Sequence, residues 1–200
     1  MAEAAPWLVV GLGNPGSEYA KNRHNVGFMA VERFVEQHDI HAAWRDKFKA
    51  RTASLRVGSH RCVVLAPQTF MNCSGESVVP AAAFHKVPLE QIVVVHDELD
   101  FEFGRVAIKR GGGHGGHNGL RNIIKLLGKP EFVRVRVGIG RPPRGQPGRE
   151  VSSWVLSDFT ADQQATLPDL VADAERAVTA ILSQGTAAAM NQINSQPPPS

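Results

Sequence analysis

His24, Asp97, Asn14, Asn72 and Asn118 are the residues of this 200-residue chain whose types could do chemistry together. An imidazole with an ordinary pKa of ~6.5 can take a proton at neutral pH. It serves as a general base when a partner fixes its tautomer and stabilises the imidazolium, which a carboxylate such as Asp97 can do. An amide offers a donor and an acceptor without adding charge. The three asparagines could therefore bind a peptide backbone or donate to a developing oxyanion. Each residue also has a plainer explanation. His24 fits an exposed loop, Asp97 a turn after a strand, and Asn14 the turn of an Asn-Pro-Gly sequence. Asn72 fits the solvated start of a helix, and Asn118 fits a helix cap.

The five residues fall in four polar segments: GNPGSEYAKNRHNVG (13–27), PQTFMNCSG (67–75), HDELD (96–100) and GGGHGGHNG (111–119). Three of these follow predicted strands directly. In open α/β sheets ligands bind outside the carboxyl ends of the strands, so loops leaving neighbouring strands can converge there. No Ser or Cys stands in a nucleophile elbow or beside His24 in sequence, which favours activated water over a covalent intermediate.

Hydrophobic periodicity supplies the elements that would hold these segments. Trp7–Leu12 is a short apolar strand closed by glycines, and residues 26–37 carry a helical stripe with Asn25 as a candidate cap. Ala50–Val57 and Arg61–Ala66 read as two strands joined by Gly58-Ser59-His60, and Thr69–Phe84 as a helix interrupted by Gly75 and Pro80. Gln91–His96 and Arg105–Lys109 are strands, Leu120–Leu127 a helix, and Phe132–Ile139 a half-buried strand alternating valine with Arg134 and Arg136. Residues 141–150 form a Pro/Gly/Arg loop. The stripe Leu167 to Leu182 is a long helix with Pro168 in its first turn, and Ala187–Ile193 a short one. The sum is a single α/β domain over residues 1–194: a twisted, mixed but mostly parallel sheet flanked by helices on both faces, with a proline-rich tail at 195–200.

Bulk properties exclude several classes. The net charge of +3 is only weakly basic, so a nucleic-acid partner would need a local patch. Lys109, Arg110, Arg134, Arg136, Arg141, Arg144 and Arg149 gather near the glycine run and could form one; a solvated face explains them equally well. Cys62 and Cys73 have no metal spacing, and the N-terminus lacks a signal-peptide pattern, so a cytoplasmic setting is expected. His96, His114 and His117 raise a metal site, but their glycine-rich surroundings lack an ordered framework, and no metal or other cofactor is expected. GLGNPG matches a dinucleotide fingerprint by letter, but Pro15 interrupts it and no acidic residue closes a second strand.

Together the segments resemble bacterial-type peptidyl-tRNA hydrolases. NPGxxYxxxRHNxG (14–27), PxTFMNxSG (67–75), HDELD, GGGxGGHNGL (111–120) and RVGIGRP (136–142) occur in the family's order, followed by WVLSDF (154–159) and MNQIN (190–194). Asn22 and Phe101 depart from residues common in the family. The resemblance implies a metal-free, monomeric hydrolase that cleaves the ester of peptidyl-tRNA. It implies His24 as base with Asp97 as its partner, and Asn14, Asn72 and Asn118 contacting peptide or terminal nucleotide. It places Tyr19 and Met71 in the same crevice, His117 in the substrate-facing loop, and Lys109 and Arg136 as a clamp on tRNA phosphate. A non-catalytic RNA-binding relative is the alternative reading; a nucleotide-binding enzyme is the third.

Overall fold

A seven-stranded sheet in the order β2-β3-β4-β1-β5-β7-β6 organises the computed structural model, which describes residues 4–143 and 150–196. In chain order the elements are β1 (Trp7–Gly11), α1 (Val26–His38), β2 (Arg45–Lys47), β3 (Ala50–Val57), β4 (His60–Pro67), α2 (Gly75–His85), β5 (Ile92–Glu98), β6 (Val106–Arg110), α3 (Asn118–Leu127), β7 (Val133–Gly138), α4 (Val151–Val155), α5 (Ala161–Gln184) and α6 (Thr186–Asn194). The pairs β4-β1, β1-β5 and β5-β7 are parallel; β3 and β6 run against them. No helix among the described residues is long and apolar enough to cross a membrane.

Alternation along the central strands builds two cores. Val9, Val93, Val95, Val133, Val135 and Val137 pack with α1 and α5 on one face. Leu8, Val10, Ile92 and Val94 pack with α2 and α3 on the other. Each such side chain contributes ~1.5–3 kcal/mol on burial, so the strands are fixed in register before any site residue is considered. The same alternation sends Asp97 toward α1 and His96 toward the α3 face, because the side-chain period of a strand is two.

Two glycines bring α1 against the sheet. A β-carbon on Gly27 would stand 2.5 Å from the backbone of Leu12 and Val95, and one on Gly11 would stand 2.3 Å from the Gly27 carbonyl. Only bare backbone permits this approach. It draws the turn preceding α1, which carries His24, to the carboxyl ends of β1 and β5.

Several elements differ from expectation. Thr69–Phe84 is not one helix: Met71–Cys73 form a 3₁₀ turn and α2 starts at Gly75. Helix α5 begins at Ala161, so Pro168 lies well inside it rather than in its first turn. Thr160 and Gln163 form the capping box that starts the helix. Pro168 is tolerated because it is exposed, leaving water to reach the carbonyl its missing N–H would have bonded. The strand β2 and the short helix α4 carry too little pattern to be read from sequence. Strand β7 is buried on both faces, since Arg134 is covered. Asn118 does not cap α3; His117 does, through its ring. Of the 141–150 loop, residues 144–149 lie outside the described residues, as do tail residues 197–200.

Candidate active site

Asp97, the penultimate residue of β5, has 3% of its surface exposed, and its Oδ1 faces two imidazoles. His24 Nδ1 and His117 Nε2 each lie 2.8 Å from that oxygen. Burial alone would favour the neutral acid, but the two imidazoles beside it hold the Asp97 carboxyl well below the usual carboxylate range. An ionised carboxylate only accepts, so both ring nitrogens carry hydrogen and donate.

The other nitrogen of each ring distinguishes them. His117 Nδ1 accepts from the backbone N–H groups of Gly119 (3.2 Å) and Leu120 (3.4 Å), satisfying the orphan donors at the start of α3. Its ring is therefore the Nε2–H tautomer, with both nitrogens engaged. His24 donates through Nδ1, which leaves Nε2 as an acceptor with no hydrogen bond among the described residues. The two rings are 5.0 Å apart. A cavity of about 190 Å³ opens beside them, walled by His24, His96, Asp97, His117 and Asn118 on one side and Val151, Ser152 and Val155 of α4 on the other.

The turn carrying His24 is held from both directions. Asn25 Oδ1 accepts from Asn14 N and Asn25 Nδ2 donates to Asn14 O, both at 2.9 Å, so this amide ties the β1 loop instead of capping α1. Arg23 is fully buried beneath the Trp154 ring at 3.7 Å and donates to the Ser157 hydroxyl, the Asp158 carbonyl and Gln163 Oε1. Asn22 donates to Asp158 Oδ1 at 2.8 Å. His24 is thus fastened to the end of β1 and to the segment joining α4 and α5.

The asparagines sort by their partners. Asn14 is buried and its Oδ1 accepts from Met71 N at 2.7 Å, which fixes the amide orientation and turns its NH₂ away from that contact. Asn118 shares the cavity wall with His24; its Oδ1 accepts from Arg121 at 2.9 Å, so its NH₂ is the group left for a ligand. Asn72 is exposed in the 3₁₀ turn after β4. Met71 is buried, its sulfur 2.7 Å from where a Gly119 β-carbon would stand, so Gly119 lets α3 close on this turn. Tyr19 is partly buried in the turn ahead of Arg23 and is not part of the cavity wall.

The basic residues are less uniform than their spacing suggests. Lys109, Arg134 and Arg136 share one face of the β6-β7 pair, by cross-strand register. Lys109 is exposed. Arg136 donates to Glu98 Oε2 at 2.9 Å and lies over the Phe101 ring at 4.2 Å. Arg134 is buried, so it is not an open phosphate ligand, and the exposed Arg141 is paired with Asp100. Arg144 and Arg149 lie outside the described residues.

His24, Asp97 and His117 each offer an atom within 4.8 Å of the others, whereas the histidines considered from sequence were His96, His114 and His117. The three atoms are joined by hydrogen bonds through Asp97 Oδ1. GLGNPG does not open a helix as a phosphate-binding loop would: α1 starts twelve residues after Asn14, and a β-carbon on Gly13 would strike the Phe28 ring at 2.7 Å. Sequence reasoning missed Arg23, Asn25 and Arg134 as scaffolding, and Phe70, 61% exposed beside Met71, as an exposed aromatic. Arg23, Asn25 and Phe70 lie inside the polar segments, where the buried polarity of Arg23 and Asn25 was the available signal; Arg134 lies outside them, on β7.

An open α/β sheet with a carboxylate-oriented imidazole at the ends of β1 and β5 defines the class: a doubly wound domain with a histidine–carboxylate pair at its strand ends. The chain belongs to the peptidyl-tRNA hydrolase family, whose model matches residues 8–200. It is 49% identical over 193 residues to the peptidyl-tRNA hydrolase of Sorangium cellulosum, covering 96% of this chain and 85% of that one. The Bdellovibrio bacteriovorus peptidyl-tRNA hydrolase is 43% identical over 188 residues, covering 94% and 99%. The crystal structure of the Acinetobacter baumannii peptidyl-tRNA hydrolase superposes with a TM-score of 0.88 at 39% identity, covering 100% of each chain.

Proposed function

We propose that this chain hydrolyses the ester bond of peptidyl-tRNA by activating water with His24. The observation that carries the mechanism is the unshared Nε2 of His24, in a ring whose Nδ1–H is bound to Asp97, facing a cavity rimmed by Asn118. Nε2 takes a proton from water as the oxygen attacks the ester carbonyl carbon. The positive ring is stabilised by the ionised Asp97. Negative charge moves to the carbonyl oxygen, where the Asn118 NH₂ donates. Collapse breaks the bond to the ribose oxygen, which takes the proton back from the imidazolium. The products are a free tRNA end and a peptide carboxylate.

The buried Asn14, the exposed Asn72 and the partly buried Tyr19 contact the peptide or the terminal nucleotide, with Met71 as the apolar floor. Lys109, and the guanidinium face of Arg136 left open by Glu98, hold backbone phosphate, which positions the tRNA without reading its sequence. The enzyme acts as a cytoplasmic monomer, recycling tRNA from peptidyl-tRNAs that leave the ribosome.

The test is release of the blocked aminoacyl group from N-acetyl-aminoacyl-tRNA, compared with unblocked aminoacyl-tRNA. Strong preference for the blocked form is expected. Equal rates, or tRNA binding with no cleavage, would overturn this reading and favour a binding protein.

A further inference from the structure

Arg134 is a buried cation with no direct ion pair among the described residues; the carboxylate that acts on it, Glu98, is already paired with Arg136. It is 3% exposed. Its Nε is buried with no hydrogen-bond partner. Lys109 is its cross-strand neighbour and Arg136 shares its face. Burying a charge among like charges is costly, so a site that keeps one calls for a return elsewhere.

Its two terminal nitrogens do one thing. Nη1 donates to the Gly113 carbonyl at 2.6 Å and Nη2 donates to the Gly112 carbonyl. Gly111 and Gly112 have φ of 69° and 91°, so the chain leaves β6 through two left-handed residues and meets the guanidinium fork at once. Four residues beyond Gly113 the run is fastened again, where His117 bonds Asp97 and caps α3. The short span between these anchors supplies His114, Gly115 and Gly116 to the cavity wall, and Asn118 follows directly.

We propose that Arg134 is a positioning residue for the hydrolysis: its two-pronged hold on Gly112 and Gly113 sets the course of the glycine run, so that His117 meets Asp97 and Asn118 faces the base. This role rests on the cavity being the site of ester cleavage. It differs from a phosphate contact, because the guanidinium is covered. It differs from general scaffolding, because Gly112 and Gly113 are exposed and their carbonyls can turn to water when the arginine is lost. A planar fork suits two adjacent carbonyls; a lysine reaches one at a time.

Arg134→Met and Arg134→Lys separate these roles. With Arg134→Met the melting temperature should stay within ~5 °C of the parent or rise. The value of kcat on N-acetyl-aminoacyl-tRNA should fall ~10-fold or more, with KM little changed. Amide exchange at Gly115 and Gly116 should quicken, and Arg134→Lys should recover part of both losses. A fall in kcat matched by a large loss of melting temperature would reduce Arg134 to scaffolding. A raised KM with unchanged kcat would make it a phosphate ligand, and unchanged kinetics and exchange would remove the role altogether. If the parent protein itself fails to cleave the substrate, the proposed function is what falls; amide exchange and the His117–Asp97 hydrogen bond, read by NMR in both variants, still decide whether Arg134 holds the run.

Discussion

His24 and His117 reach the same oxygen of Asp97 at the same 2.8 Å, yet the chain builds the two approaches differently. His24 stands on a short turn fixed by Asn25, Arg23 and the close packing of Gly27. His117 arrives at the end of a glycine run and is fixed by the helix it caps. The first arrangement leaves one lone pair open to the cavity, and the second leaves none. Residue type and distance are shared, so the difference in role comes from what occupies the far nitrogen. A histidine near a carboxylate is a candidate base only when its second nitrogen has nothing else to do.

The comparison can be broken most severely at His24. His24→Ala should retain the fold and lower ester cleavage by ~10²–10⁴-fold; single-turnover cleavage of N-acetyl-aminoacyl-tRNA checks it, and near-normal turnover would end the assignment. His117 should matter less and in two separable ways. His117→Ala should cost ~0.5–2 kcal/mol of stability through the lost cap, together with about a tenfold loss of rate. His117→Asn restores a good capping side chain without restoring the Asp97 contact, so unfolding curves should recover while the rate stays low. Recovery of both would mean that the Asp97 contact contributes nothing.

At the β6 edge, Lys109→Ala should weaken tRNA binding several-fold at low salt and flatten its salt dependence, with a log-log slope reduced by ~1. Salt titrations that superpose with those of the parent would remove Lys109 from the interface.

A third imidazole sharpens the contrast through pH. His96 donates through Nδ1 to the Asp97 carbonyl at 2.8 Å, and its ring lies 5.1 Å from that of His117. Burial, then the nearby His117 and Arg134, pulls its pKa from 6.5 down to about 3, although the Asp97 carbonyl and carboxylate oppose this. Between those values the unfolded chain binds a proton that the folded chain does not, so stability falls as pH drops from about 6.5 toward 3. Asp97, depressed when folded, adds a loss of the same sign as pH falls below its ordinary 3.8. Melting temperatures from pH 7 to 4 should decline, and more shallowly in His96→Asn; parallel curves would show that the ring is not the source.

Much of this site was legible because its positions follow from strand ends. His24 lies in the segment that follows β1 and Asp97 is the penultimate residue of β5, and parallel neighbours bring such ends together. The apolar runs that define the strands were enough to suggest that convergence, which Gly27, Asn25 and Arg23 then complete. The division of labour between the histidines was not legible, since it depends on α3 presenting two backbone N–H groups to one ring nitrogen. Asn118 looked like the cap because asparagine is the commoner choice, and the residue before it took the position. Arg134 and Arg136 read as one exposed row because alternation reports which face a side chain takes. It does not report that a glycine run will fold over one of them. The Thr160–Gln163 box was spaced correctly in the sequence, but Pro168 drew the expected helix start toward itself.

The tautomers of His24 and His117 test the central claim most directly, through imidazole ¹⁵N chemical shifts in the uniformly labelled protein near neutral pH. His24 should carry its hydrogen on Nδ1 with a bare Nε2, and His117 should carry its hydrogen on Nε2 with a bare Nδ1. A His24 ring protonated on Nε2 alone, with Nδ1 bare, would leave the cavity without the proposed base and contradict the account.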